Sequence, residues 1–319
     1  MLKKNSSLLQ KIFLLCIVLL CSNSVSFAGN RSGIVAAQFL KIPTSARMVG
    51  MANASVALAE GVSSLAYNPA GLMSVAGLNV AATQTQWFAN IQHAFVGTAA
   101  NLNEMGIGTI ALGMTLLTTD DMIVTTNAAP EGTGEYFRAG DYAFHLAYAR
   151  SISDRFSVGL ATKYIYSFLY NDKITSSSFA FDIGTLYDIP DIGTKLGVGI
   201  LNLGNDVEFI REPYSLPTAL RFGVATTVWQ EEESHVISTL QIARPNDADE
   251  QYNVGAEYAF NESFFLRGGY KFAYEIENFT AGFGVNLLSF VGMNVRLDYG
   301  YNNYQVLPGT HTISLEAGW

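Results

Sequence analysis

The chain has 319 residues, of which 49% are hydrophobic and only 14% charged, with a formal net charge of −9. Average globular chains carry about 25% charged residues, so this composition excludes a disordered polyelectrolyte and an ordinary soluble surface. The mean hydropathy of +0.21 would suit a polytopic helical membrane protein, yet beyond residue 28 no run of about 18 apolar residues is present to cross a bilayer as a helix.

Residues 1–28 read as a secretory signal. Lys3, Lys4 and Lys11 make a basic start, Ile12 to Leu20 is apolar, and Ser26-Phe27-Ala28 puts small residues before a cleavage point at Gly29. Both cysteines, Cys16 and Cys21, fall in this segment, so disulfides and thiol catalysis are not expected of the mature chain. Removing the three lysines leaves 15 basic against 27 acidic residues, a net charge of −12. An exported chain this acidic is not expected to bind nucleic acid.

Residues 29–75 are rich in Ala, Ser, Gly and Met and lack alternating aromatics. Ser45-Ala46-Arg47-Met48 and Ser55 to Glu60 suit short helical turns, and Tyr67-Asn68-Pro69-Ala70-Gly71-Leu72 is turn punctuation. The segment reads as a compact N-terminal element packed against something larger.

From about residue 77 the pattern turns to period two. Phe156, Val158, Leu160, Thr162 and Tyr164 interleave with Ser157, Gly159, Ala161 and Lys163; Ile313, Leu315, Ala317 and Trp319 interleave with Thr312, Ser314, Glu316 and Gly318. Successive strand side chains point to opposite faces. One face is therefore apolar with aromatic tips, such as Tyr164, Phe260, Tyr270 and Tyr299. The other is small or polar with isolated charges. A soluble sandwich would carry its charge on the outer face; this pattern is that of a transmembrane β-barrel, which satisfies every backbone group in lipid.

About fourteen strands are expected, near 77–89, 91–102, 105–118, 141–152, 156–170, 176–187 and 194–203, then 216–228, 235–244, 250–260, 264–273, 278–288, 291–303 and 309–319. An even number brings both ends to one side of the membrane. The short connections Asn101–Glu104, Ile152–Arg155 and Asn261–Ser263 all follow even strands, on the periplasmic side. Thr119–Asp141, Asn205–Leu216 and Arg244–Asp249 follow odd strands and are mostly longer, and barrels of this kind have short periplasmic turns and long outer loops. The acidic Gln230–Ser234 loop is a mild exception to this rule.

Three stretches carry a family resemblance. They are Phe39–Ile42 through Ala46-Arg47-Met48-Val49-Gly50-Met51 to Ala57–Glu60; Tyr67–Leu72; and Asn202-Leu203-Gly204-Asn205 followed by Leu216–Val224. Together they resemble the PorV/PorQ family of outer-membrane proteins, within the wider FadL-like group. The resemblance implies a fourteen-stranded barrel with an N-terminal hatch in the lumen. With the signal at 1–28, this makes 29–75 the hatch and 76–319 the barrel. The resemblance also implies binding or shuttling of proteins exported by a type IX-like secretion system, with a translocon and cargo proteins as partners beside outer-membrane lipid. The alternative it carries is FadL-like passage of a hydrophobic small-molecule ligand. The outer loops are modest for a cargo shuttle.

The hatch reading centres on Asn68, Pro69, Ala70 and Gly71, where Pro69 fixes φ and Gly71 permits a tight reversal. Nine inward charges are expected to pair across the lumen and hold the hatch: Lys163, Asp182, Arg221, Glu257, Arg267, Lys271, Arg296, Asp298 and Glu316. A selectivity ring would need one sign, and these are mixed. Gly106–Ala111 mimics a dinucleotide fingerprint but lies in a strand with no helix after it. Asn246, Asp247, Asp249 and Glu250 do not match a calcium loop and read as a solvated outer loop. His93, His145, His235 and His311 have no metal-ligand spacing, and no HExxH or GxSxG occurs. His145 falls on the inward phase. No cofactor, metal site or enzymatic activity is expected.

Overall fold

The computed structural model describes residues 35–290 and 293–319; the signal segment with Cys16 and Cys21, and residues 29–34 of the N-terminal element, lie outside the described residues. Among the described residues, fourteen antiparallel strands close into one barrel. In chain order they are β1 (Leu78–Gln86), β2 (Gln92–Asn101), β3 (Thr109–Thr118), β4 (Gly140–Ser153), β5 (Phe156–Leu169), β6 (Ile174–Ile189) and β7 (Thr194–Gly204). The second half is β8 (Ala219–Gln230), β9 (Ser234–Pro245), β10 (Gln251–Phe260), β11 (Phe264–Phe272), β12 (Glu277–Phe290), β13 (Met293–Tyr304) and β14 (Thr310–Gly318). Each strand pairs with its chain neighbour, and β1 closes on β14 from Asn79↔Gly318 to Gln86↔His311. Closure leaves no free edge, the condition for a sheet in hydrocarbon. Strands of 9 to 16 residues meet the roughly 9–11 needed to cross a bilayer at a tilt.

The alternation decides which face is which. In β4, Ala143, His145, Ala147 and Ala149 are buried, while Phe144 and Leu146 are 48% and 50% exposed. In β14, Thr312 and Ser314 are buried, while Ile313 and Leu315 face outward. The small and polar face is thus the interior, and the greasy face forms an unbroken outer wall. Water would penalise so large an apolar surface; acyl chains do not. Aromatic clusters stand at both margins. Tyr142, Tyr166 and Phe168 stack at one end, and Trp229 stacks on Tyr258 at the other.

Strand limits depart from the sequence reading at four places. β1 stops at Gln86, because Ala89 and Asn90 adopt left-handed backbone and turn the chain before Ile91. β3 starts at Thr109 instead of residue 105, since Asn103–Met105 forms a helical turn and Gly106 and Gly108 both carry positive φ. β8 starts at Ala219, because Leu216 is drawn into the interior. β8 and β9 extend to Gln230 and from Ser234, so the Glu231–Glu233 connection is short like its neighbours. The longest connections, 119–139 and 205–218, share one end, and each holds a small ribbon (Met122–Ile123 with Tyr136–Phe137, Val207–Glu208 with Pro213–Tyr214). By the loop-length rule this is the outer end.

Residues Val35 to Val75 run through the lumen from end to end. Val35 bridges Ser215 in an outer loop, the helical turn Ala46–Gly50 packs on β11–β14, and the turn Pro69–Ser74 packs on β4–β6. At the far end the Asn101 side chain holds the Val75 carbonyl, just before β1.

Candidate functional site: the luminal plug and the outer cavity

An irregular segment inside a barrel has backbone groups that no ladder satisfies. The inward-facing polar side chains satisfy them here. Gln241 Oε1 accepts from the Ser55 and Val56 amides at 3.0 and 2.9 Å, and its Nε2 donates to the Asn53 carbonyl. Asn253 donates to the Ala52 carbonyl at 2.7 Å, Thr239 to Ala54 at 3.0 Å, and Ser314 accepts from the Ala46 amide at 2.8 Å. The wall also makes room by omission. A Cβ on Gly159 would stand 2.3 Å from the Ala70 nitrogen, one on Gly197 2.3 Å from the Val56 carbonyl oxygen, and one on Gly300 2.6 Å from the Ala46 carbonyl oxygen. These strand glycines let plug backbone touch wall backbone.

Asn68, Pro69, Ala70 and Gly71 sit at the centre of this packing. Asn68 Oδ1 accepts from the Ala70 amide, and its Nδ2 donates to the Val56 and Thr185 carbonyls at 2.7 and 3.0 Å. One side chain thereby caps the turn and ties it to β6. Pro69 starts the turn, where no N–H is required. Gly71 lies within a helical turn; what requires glycine is that a Cβ would meet the Ala59 carbonyl oxygen at 2.3 Å.

Five of the nine expected lumen charges join a single chain of ion pairs with three others. Lys195 Nζ meets Glu60 Oε1 at 2.8 Å, and Glu60 Oε2 meets Arg47 at 3.3 Å. Arg47 reaches Glu257 at 2.7 Å, Glu257 meets Arg267 at 2.5 Å, and Arg267 meets Asp298 at 2.6 Å. Arg296 then bridges Asp298 and Glu316, each at 2.9 Å. Signs alternate without a break. The chain begins on β7 and ends on β14, on opposite walls, and Arg47 and Glu60 of the plug form the middle. Burial costs each charge its hydration, and the alternation compensates it. Burial alone would raise the Glu60 carboxyl, but Arg47 and Lys195 outweigh it and hold it down to about 2. Burial opposes the Arg47 charge, yet Glu257 keeps its pKa above the ordinary arginine value. Burial pushes the Tyr67 hydroxyl up to about 12.

The other four behave differently. Lys163 and Asp182 form a buried pair at 2.7 Å. Both also hold Asn202: Lys163 donates to its side chain at 2.6 Å, and Asp182 accepts from its amide at 2.7 Å. Asn202 has left-handed backbone, and the β6–β7 register shifts beside it, between Phe181 and Ile183. The Asn202–Asn205 stretch singled out in the sequence is thus a bulge whose lost ladder bonds are replaced by side chains. Lys271 pairs with Glu277. Arg221 has no carboxylate within ion-pair distance among the described residues; its Nε and Nη1 are buried without a hydrogen-bond partner.

Arg47, Glu60, Lys195 and Glu277 are absent from the expected set. Arg47 and Glu60 lie in the plug, where period-two reasoning does not apply. Lys195 shares the phase of Gly197 and Gly199, the signal that could have found it. His145 is buried on the inward face and shares a 3.0 Å hydrogen bond between its Nε2 and Thr115 Oγ1.

Above the plug, at the outer end, lies a cavity of about 950 Å³. Phe39, Leu40, Ile42, Trp87, Ile276 and Tyr304 give it apolar walls, and Arg221, Asn202 and Gln241 stand at its base.

A family profile for the type IX secretion system protein PorV matches residues 26–248. No curated protein matches the chain in sequence. The fold is similar to that of the Ralstonia pickettii toluene transporter TbuX (TM-score 0.60, 12% identity, covering 86% of this chain and 98% of that one). It is also similar to the Pseudomonas putida toluene transporter TodX (0.54, 12%, 86% and 97%) and a Pseudomonas aeruginosa FadL homologue (0.50, 9%, 86% and 98%). The chain belongs to the PorV family and has the FadL-like, outer-membrane barrel fold.

Proposed function

We propose that this member of the PorV family works in the outer membrane, after removal of its signal segment, as a plugged and non-catalytic barrel that docks proteins exported by a type IX-like secretion system. The observation that carries this reading is the filled lumen, tied from β7 to β14 by the Lys195–Glu316 chain of ion pairs. Traffic through the middle would have to separate buried pairs such as Arg47–Glu257 and Arg267–Asp298, and a buried charge parted from its partner is costly. The outer loops remain as the working surface, chiefly Thr119–Asp141 and Asn205–Leu216. Partners would be the secretion translocon and its cargo. Deletion of the gene should reduce surface display of exported proteins, and a pull-down from outer membranes should bring translocon and attachment proteins. Unchanged display sinks the reading.

A second reading is passage of a hydrophobic small molecule, favoured by the outer cavity. A ligand would enter from outside, meet the plug at Asn68–Gly71 and leave sideways. Uptake that responds to substitutions at Asn68–Gly71 while protein display does not would favour this reading over the first.

A further inference from the structure

We propose that the side chains of Lys163 and Asn202 become joined by an amide bond, with Asp182 carrying the protons and ammonia leaving. The bond ties β5 to β7 across β6. It forms once per chain, without turnover, and it is independent of what the outer loops bind.

The placement of three side chains carries the inference. Lys163 on β5, Asp182 on β6 and Asn202 on β7 are all buried, at 3%, 0% and 4% exposure. Lys163 Nζ stands 2.6 Å from Asn202 Oδ1 and 2.7 Å from Asp182 Oδ2. A carbonyl bond is about 1.23 Å long, so Nζ lies no more than about 3.8 Å from the Asn202 carbonyl carbon, close to the separation of an attacking nucleophile. Among the described residues no other lysine meets a side-chain amide: Lys41, Lys195 and Lys271 meet carboxylates, and Lys173 lies over the Tyr170 ring.

The bulge presents Asn202 for reaction. Its left-handed backbone is pinned on both sides, since its amide donates to Asp182 Oδ1 at 2.7 Å and its carbonyl accepts from Thr218 Oγ1 at 2.9 Å. Its Nδ2 donates to the Pro217 carbonyl at 3.1 Å. The side-chain carbonyl is therefore turned to the amine and the leaving nitrogen away from it. Holding reactants in this way replaces a rare encounter by a standing one. Asn202 also belongs to the floor of the outer cavity, which gives ammonia a way out.

The step balances without any other reactant. One proton passes from the Lys163 ammonium to Asp182 Oδ2, which has no hydrogen-bond partner beyond that contact. The neutral amine attacks Cγ of Asn202; the Nζ–Cγ bond forms and the carbonyl electron pair moves to Oδ1. Asp182 gives its proton to Nδ2, the Cγ–Nδ2 bond breaks as the carbonyl re-forms, and ammonia departs. Asp182 then takes back one proton from Nζ. A buried ion pair and a primary amide become a secondary amide, a neutral acid and free ammonia, so two charges are removed from a dry site.

The test is the intact mass of the mature chain, purified from outer membranes in detergent and compared with the sequence from its measured N-terminus. A mass lower by about 17 Da, that of ammonia, is expected. Trypsin should fail to cut after Lys163 and should release one branched peptide that joins residues 156–173 to residues 196–211. A native chain of full mass, cut after Lys163, overturns the proposal, and so does ammonia loss that fragment ions place on another residue. That comparison needs no variant. Chain refolded from urea should begin at full mass and lose ammonia only after folding; loss already in urea overturns the role of the folded geometry. Folded D182N and K163R should keep the full mass, and a branched peptide in folded D182N overturns the assignment of Asp182.

Discussion

Arg47 of the plug grips Glu257 of β10 with two nitrogens, Nε to Oε2 at 2.9 Å and Nη2 to Oε1 at 2.7 Å, joining residues 210 apart in sequence. Glu257 also accepts from Arg267 Nε, so one carboxylate holds the plug to the wall and the wall to itself.

This contact is the first to test. Glu257→Gln should destabilise the folded barrel by about 1–3 kcal/mol, because it removes the acid shared by Arg47 and Arg267 and leaves them only Glu60 and Asp298. Thermal unfolding in detergent reads the loss. A change within about 0.5 kcal/mol, the range of ordinary surface substitutions, would mean the chain of pairs does not hold the plug.

The glycine lining gives a contrast between neighbours in design. Gly159→Ala pushes a methyl against plug backbone, whereas Gly268 has nothing within 4 Å of its would-be Cβ. Gly159→Ala is expected to cost about 1–3 kcal/mol and to open plug segments to protease; Gly268→Ala should be silent in both measurements.

Acid should loosen the plug at one identifiable place. The folded Glu60 carboxyl, held to about 2, lies below its ordinary value of 4.5. Its contribution is therefore complete above the ordinary value and is lost as pH falls from there through about 2. Since the side chain is 39% exposed, solvent screens the effect and it is modest. Protease access to the plug, followed from neutral pH downward, should rise in this window in the native protein, and Glu60→Gln should remove that step.

Asn202 tests the bulge. Asn202→Gly keeps the left-handed backbone but removes the side chain that accepts from Lys163 and donates to the Pro217 carbonyl. Asn202→Val loses those contacts and adds strain of about 1–3 kcal/mol. Melting temperature should fall in the order native, Gly, Val; equal melting of the two variants would mean the backbone conformation carries no cost.

Much of the wall was legible in the residues. The switch between Phe144 and His145, or Ile313 and Ser314, states which side chain meets lipid, since period two admits only two faces. The limits of β1 and β3 were less legible. Left-handed backbone at Ala89 and the turn at Asn103–Met105 are local choices that an apolar run does not announce.

The partners of the charges belong to another level. The nine inward positions could be read from phase, but phase says nothing of which acid meets which base. Arg296 joins Asp298 and Glu316, Lys271 joins Glu277, and Arg221 joins none among the described residues. Those outcomes depend on how far each strand slides against the next and on the path of Val35–Val75 through the lumen. Hydrophobic periodicity is a property of neighbouring residues and survives any register. An ion pair exists only at about 4 Å or less, and here the chain closure that brings Lys195 and Glu316 into one line through Arg47 is what sets that distance.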